Sequence, residues 1–180
     1  MSDGERTRPR ALETPSLEGE APDGLSFRRA LGRFATGVVV VTTRTPEGEL
    51  LGLTANSFAA VSLDPPMVLW SLRRNATTLE GFRRSGFFAV NVLAHDQVAI
   101  ATHFAKSGTE KFRSIPFSHG AVGGPIIPGC LTTLECQVES TTEGGDHLIF
   151  IGRVLRASTR EGEPLIFSGG QYCRSTLLGE

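Results

Sequence analysis

A mainly β fold with short helices, closed as an antiparallel barrel, is predicted by three features of the chain. β-Branched and apolar runs recur, most clearly at Val38-Val39-Val40-Val41-Thr42-Thr43, the composition of a buried strand. The first strand-like stretches, 38–43, 50–61 and 67–72, follow one another too closely for the crossover helices that parallel pairing requires. Farther on, 131–141 and 148–157 flank Thr142-Glu143-Gly144-Gly145-Asp146-His147, which reads as a hairpin connection.

Taken in order, residues 1–24 read as a disordered N-terminal tail. They carry Pro9, Pro15, Pro22 and many charges, and too few large aliphatics to offset the entropy of ordering. Residues 25–180 form the folded domain. Phe27, Ala30, Leu31 and Phe34 have i, i+3, i+4, i+7 spacing, so a short amphipathic helix starts there with Ser26 as N-cap, and Gly37 ends it. Pro46-Glu47-Gly48-Glu49 is a turn, and Asp64-Pro65-Pro66 stops the strand over 50–61. A helix is expected over 75–84 with Leu79 and Phe82 inward, a strand over 86–93 and a helix over 96–104. The stretch 107–129, rich in Gly, Pro and Ser, is a long loop of the kind that carries function. A short strand at 164–167 precedes Gly169-Gly170.

Composition bounds the function. The chain has 180 residues, 39% of them hydrophobic, enough for the core of one domain. A formal net charge of -1 leaves no electrostatic footprint for nucleic acid or an anionic membrane. No apolar run approaches the roughly 20 residues of a membrane helix, and no signal peptide is evident. Of the three cysteines, Cys130 and Cys136 read as sharing one face of one strand, too far apart to bridge, which points to a reducing cytoplasm. Walker A, G-x-G-x-x-G, C-x-x-C, H-E-x-x-H and G-x-S-x-G patterns are all absent, so neither a usual dinucleotide fold, a zinc site nor a serine hydrolase is indicated.

Three segments carry candidate chemistry. Leu53-Thr54-Ala55-Asn56-Ser57-Phe58 sets small polar residues in an apolar strand, as a heterocycle would need; an alternating half-buried strand gives the same pattern. Ser71-Leu72-Arg73-Arg74-Asn75-Ala76-Thr77-Thr78 leads into a helix start capped by Asn75, suited to an anion or simply to capping. In Gly144-Gly145-Asp146-His147 the histidine opens an apolar strand and either reaches a ligand or merely adjoins a turn. Lys111 offers charge for a phosphate, Tyr172 a cap for a pocket, and the cysteines packing volume.

In this order the segments resemble the short-chain flavin reductase family. The matching stretches are Phe34 to Thr43, Gly52 to Phe58, Val61 to Pro66, Phe88 to Leu93, Gly129-Cys130-Leu131 and Gly145 to Gly152. The resemblance spans about residues 26–175. It implies an FMN-binding split barrel, generally homodimeric, with FMN or FAD as cofactor and NADH or NADPH as hydride donor. It also implies a partner, a flavin-dependent monooxygenase that receives the reduced flavin. By the same resemblance, Thr54, Ala55, Asn56 and Ser57 line the flavin ring and ribityl chain. Ser71, Asn75, Thr77 and Thr78 hold the phosphate end; Phe104, Ala105 and Lys111 approach from the loop. Thr36 and Tyr172 complete the cofactor-binding set, and His147 positions the nicotinamide. Ala76 stands where many relatives carry a hydroxyl. Two other functions suit the same scaffold: a flavoprotein oxidase with its own small substrate, and a non-catalytic flavin- or haem-binding protein.

Overall fold

The computed structural model describes residues 23–108 and 110–176. In chain order its elements are α1 (Gly24–Leu31), β1 (Thr36–Gly37), β2 (Val39–Arg44), β3 (Leu50–Ala55), β4 (Ala59–Leu63) and β5 (Pro66–Arg73). Then come α2 (Leu79–Ser85), β6 (Phe87–Val92), α3 (Val98–Ala105) and a 3₁₀ turn (Lys111–Arg113). The remainder is β7 (Ser118–His119), β8 (Pro125–Ile126), β9 (Thr132–Gly144), β10 (His147–Thr159), β11 (Leu165–Ser168) and β12 (Gln171–Arg174).

Seven strands form one antiparallel sheet in the order β3-β2-β6-β9-β10-β5-β4. Its two edge strands, β3 and β4, are separated in the chain by only Asn56-Ser57-Phe58. Four Cα steps span at most about 15 Å, whereas the edges of a flat sheet of this width would lie roughly 28 Å apart. The sheet therefore curls until its edges approach, and the link at 56–58 marks the seam of a split barrel. Ser57 fastens that link to β5: its hydroxyl accepts from the Ser71 amide at 3.0 Å and donates to the Ser71 carbonyl at 3.2 Å.

Inside the barrel lie Val39 and Val41, Trp70, Phe88 and Val90, Phe150, and Phe82 of α2, all buried. Trp70 stacks on Phe150 at 4.7 Å and takes the edges of Phe82 and Phe88 at 5.0 and 5.8 Å. A second core, built from Val38, Val40, Leu93, Phe104, Phe112 and Leu165, packs outside the barrel wall under α3 and β11. β2 is thus covered on both faces, the physical reason for its unbroken β-branched run. α3 lies close on β3 because Gly52 has no side chain: a Cβ there would stand 2.6 Å from the Phe104 ring. Buried Asn91 ties the segment 118–128 to the wall, donating to the Val40 carbonyl at 3.1 Å and accepting from the Ile127 amide at 2.9 Å.

Several local expectations are corrected. Asp23, not Ser26, caps α1, its carboxylate accepting from the Leu25 and Ser26 amides at 2.8 and 2.9 Å. Ordered chain thus includes Asp23 and Gly24, which the tail reading had taken in; residues 1–22 lie outside the described residues. The strand expected over 50–61 is two strands broken at the seam. Asn75 does not cap a helix: Asn75–Thr78 belong to successive turns, and α2 begins only at Leu79. The long loop contains the 3₁₀ turn and the β7–β8 pair. Cys130 precedes β9 and packs in the second core while Cys136 packs inside the barrel, so the two do not share a strand face. β12 was unforeseen; Gly169 and Gly170, at φ +57° and +85°, make its two-residue turn.

α1 has an apolar face that nothing covers among the described residues. Leu25, Phe27 and Leu31 are more than half exposed, Phe34 just beyond is 77% exposed, and Leu63 at the end of β4 is 93% exposed.

Candidate functional site

The barrel seam gathers distant pieces of chain around a cleft of about 690 Å³. The end of β3 and the link contribute Leu53 to Ser57. β5 and the turn after it contribute Ser71 to Arg73 and Asn75 to Thr78. The C-terminus of α3 and the residues beyond supply Phe104 to Gly108, with Lys111, and His147 stands at the start of β10. The register His147↔Arg73 carries the histidine to the turn that follows β5. Each sequence-predicted site residue lines this cleft except Thr36 and Tyr172. Those two lie in the separate three-stranded sheet β1-β11-β12, where both flank Phe167 across strand pairs and Tyr172 meets its ring edge-on at 5.6 Å. Within one chain, the second core claims that sheet, not the cleft.

Hydrogen bonds sort the polar wall into structural and available groups. Thr54 donates its hydroxyl proton to the Ala101 carbonyl at 2.7 Å, tying β3 to α3, and so can only accept from a ligand. Ser57 is engaged at the seam by Ser71. Asn56, Asn75, Thr77 and Thr78 have no side-chain partner among the described residues and line the cleft free to bind. Arg73, Lys106 and Lys111 line it as well, with no carboxylate among the described lining residues, an arrangement that favours an anion. The half-buried Lys111 ammonium donates to the Gly52 and Phe104 carbonyls at 3.0 and 2.9 Å, and desolvation pulls its pKa below the usual lysine range.

At the start of β10, across from Arg73, His147 Nδ1 lies 2.7 Å from Asp146 Oδ1. This hydrogen bond holds the Asp146 carboxyl below the usual carboxylate range, chiefly by favouring its charged form. An ionised carboxylate can only accept, so Nδ1 carries the proton and a neutral ring leaves Nε2 as an acceptor. Asp146 is largely exposed, so the pair sets orientation more than it adds stability.

The residues present fit a flavin. Ala55, Ala76 and Ala105 leave room for a planar ring, Leu53, Leu72 and Phe104 offer apolar contact, and the turn after β5 offers hydroxyls and a guanidinium to a phosphate. The volume falls within the range of cofactor pockets, about 300–1,000 Å³. Sequence reasoning passed over Lys106-Ser107-Gly108, whose signal was their place directly after Phe104-Ala105 at the start of the Gly- and Ser-rich stretch. Arg73, part of the segment suited to an anion, also lines the cleft, although no site role was expected for it.

Comparison with known proteins agrees with this geometry. Residues 31–176 match the family model described as flavin reductase like domain. The FMN reductase (NADH) SmoA of Agrobacterium fabrum is 44% identical over 167 residues, covering 91% of this chain and 95% of that protein. The reductase subunit HsaB of a flavin-dependent monooxygenase from Rhodococcus jostii is 40% identical over 158 residues, covering 87% and 80%. The solved structure of the NADH:FAD oxidoreductase SgcE6 of Streptomyces globisporus, in complex with NAD and FAD fragments, superposes with a TM-score of 0.83 at 38% identity, covering 88% of this chain and 96% of that one. With its seam cleft and its match over nearly the whole described chain, the protein belongs to the flavin reductase like domain family.

Proposed function

We propose that the chain is an NAD(P)H-dependent flavin reductase that binds FMN or FAD in the seam cleft and supplies reduced flavin to a flavin-dependent monooxygenase. The observation that carries this reading is the cleft itself, with small and apolar residues beside a polar, cationic turn and a histidine paired in register with Arg73. Relatives named as NADH-dependent FMN and FAD reductases support NADH as the donor. When bound, the flavin supplies the hydride acceptor, N5, for the nicotinamide C4.

The chain's own residues do the placing. Thr54, Ala55 and Asn56 border the ring and ribityl chain, while Arg73, Asn75, Thr77 and Thr78 hold the phosphate. His147, oriented by Asp146, presents an acceptor to the nicotinamide carboxamide and so fixes how the donor stacks. No protein nucleophile is required; rate comes from holding two planar rings in register with water excluded.

The working unit in this reading is a homodimer. The uncovered apolar face of α1 (Leu25, Phe27 and Leu31) with Phe34, and the exposed Leu63, is the surface a second copy would bury. The three free cysteines support a reducing, cytoplasmic setting. Among the described residues, no helix is long and apolar enough to cross a membrane.

The test is NADH oxidation by the purified chain with FMN, FAD or no flavin added. Turnover that requires added flavin is expected. Absence of turnover at saturating flavin would point to an oxidase or a binding protein on the same scaffold.

A further inference from the structure

We infer that His103, which lies outside the cleft, is a positioning residue that sets how long the flavin stays bound; this rests on the flavin reductase reading above. One wall of the cleft is formed by Ala105 to Gly108 and Lys111. It leaves α3 where the helix ends and Lys106 turns extended. Lys111 anchors it to the body through both its side chain and its backbone. The ammonium of Lys111 donates to the Phe104 and Gly52 carbonyls at 2.9 and 3.0 Å, joining the wall to both α3 and β3. The backbone of the same residue is held from the other side: His103 Nε2 lies 2.7 Å from the Lys111 carbonyl oxygen. That oxygen can only accept, so Nε2 carries the proton.

α3 and Lys111 are therefore tied twice in opposite directions. Phe104 accepts from the side chain of Lys111, while its neighbour His103 donates to the main chain of Lys111. The His103 ring is half-buried and meets Phe104 edge-on at 5.3 Å, which fixes its direction. Phe104 in turn lies against Gly52 with no room for a Cβ between them. Without the imidazole donor, the Lys111 carbonyl loses its tie to α3, and among the described side-chain hydrogen bonds on Lys111 those of its flexible ammonium remain. A looser wall releases flavin faster, while the groups that place the nicotinamide, at the His147 end, are untouched. For a protein that hands reduced flavin to a partner, release rate is a working property, and His103 is a control on it.

The experiment uses the full chain and its His103→Leu and His103→Gln variants, loaded with whichever of FMN or FAD the wild type binds more tightly. Leucine keeps apolar volume against Phe104 and removes the donor; glutamine restores an N–H at similar reach. Flavin dissociation is followed by stopped-flow displacement, alongside NADH turnover at varied flavin. Loss of one net hydrogen bond corresponds to about a five- to tenfold change. The Leu variant should release flavin about that much faster and show a raised KM for flavin, with kcat at saturating flavin within about twofold of wild type. The Gln variant should return to within about twofold of wild-type release. Wild-type release from a Leu variant that binds flavin normally would overturn the inference alone. So would a Gln variant indistinguishable from Leu, or a kcat that falls as much as flavin affinity. A Leu variant that fails to fold leaves the Gln comparison decisive: rapid release from folded Gln protein also overturns it. Failure of the wild type to bind either flavin would overturn the functional reading itself.

Discussion

Asp146 holds His147 from an exposed position, and that limits what the pair can do. It can choose the tautomer and aim the ring, but it cannot supply much binding energy of its own. His147→Ala should therefore raise the KM for NADH about tenfold or more while changing flavin affinity less than threefold, the scale of one or two lost hydrogen bonds. Equal loss of both in titration and steady-state kinetics would refute the assignment. Because the Asp146 carboxyl sits below the usual carboxylate range, it stays ionised through mildly acidic pH. Its part in orienting His147 should be lost only as pH falls through that lowered value. The cysteines give a second check at this scale. Burial pushes the Cys130 and Cys136 thiols up, from 9.0 to about 11 and about 12. Their thiolate fractions at neutral pH are then roughly a hundred- to a thousandfold below an ordinary thiol's. A thiol reagent should label half-buried Cys173 in the native chain and reach the other two only in denaturant; rapid native labelling of all three would contradict the described packing.

The elements were legible in the sequence to the extent that their patterns were local. The β2 valines, the wall of β6 and the long β9–β10 pair announced themselves through composition and the Gly144-Gly145 turn. The break between β3 and β4 did not, because Asn56-Ser57-Phe58 carries no glycine or proline to mark a turn and only closure of the barrel makes it a seam. The start of α2 was misplaced for a similar reason: Asn75 is an excellent capping residue, but tertiary turns around the cleft claim it first. β1 escaped notice because a strand of two residues carries no periodic signal, and β12 because Gln171 to Arg174 lacks the aliphatic run that marks β11. Asn91 shows what a buried polar residue contributes to one element. Replacing it by leucine strips the Ile127 amide of its acceptor and the Val40 carbonyl of a donor, so destabilisation of roughly 2–3 kcal/mol is expected in urea unfolding. A change under about 0.5 kcal/mol would mean that the network is not structural.

For the whole molecule, the central consequence of the topology is that closing the sheet creates the site. The ends of β3 and β5, the turn before α2 and the end of α3 are far apart in sequence and adjoin only at the seam. That is why the resemblance, which compares the chain as an ordered whole, located more of the cleft than any single motif did. Within one chain, Thr36 and Tyr172 lie in the other sheet and not along the cleft. The apolar face of α1 extends the account to the assembly. Phe27→Asp with Leu31→Glu should shift the chain from dimer to monomer in sedimentation velocity, and a wild type that sediments as a monomer would refute the dimer. The claim that reduction occurs in the seam cleft is tested most directly by anaerobic mixing of flavin-loaded protein with NADH, in the wild type and in Ala105→Trp, which fills the cleft from its loop wall. Rapid flavin bleaching in the wild type, lost with flavin binding in a folded Ala105→Trp variant, is the predicted result. Undiminished bleaching in the blocked variant, or none in the wild type, would contradict it.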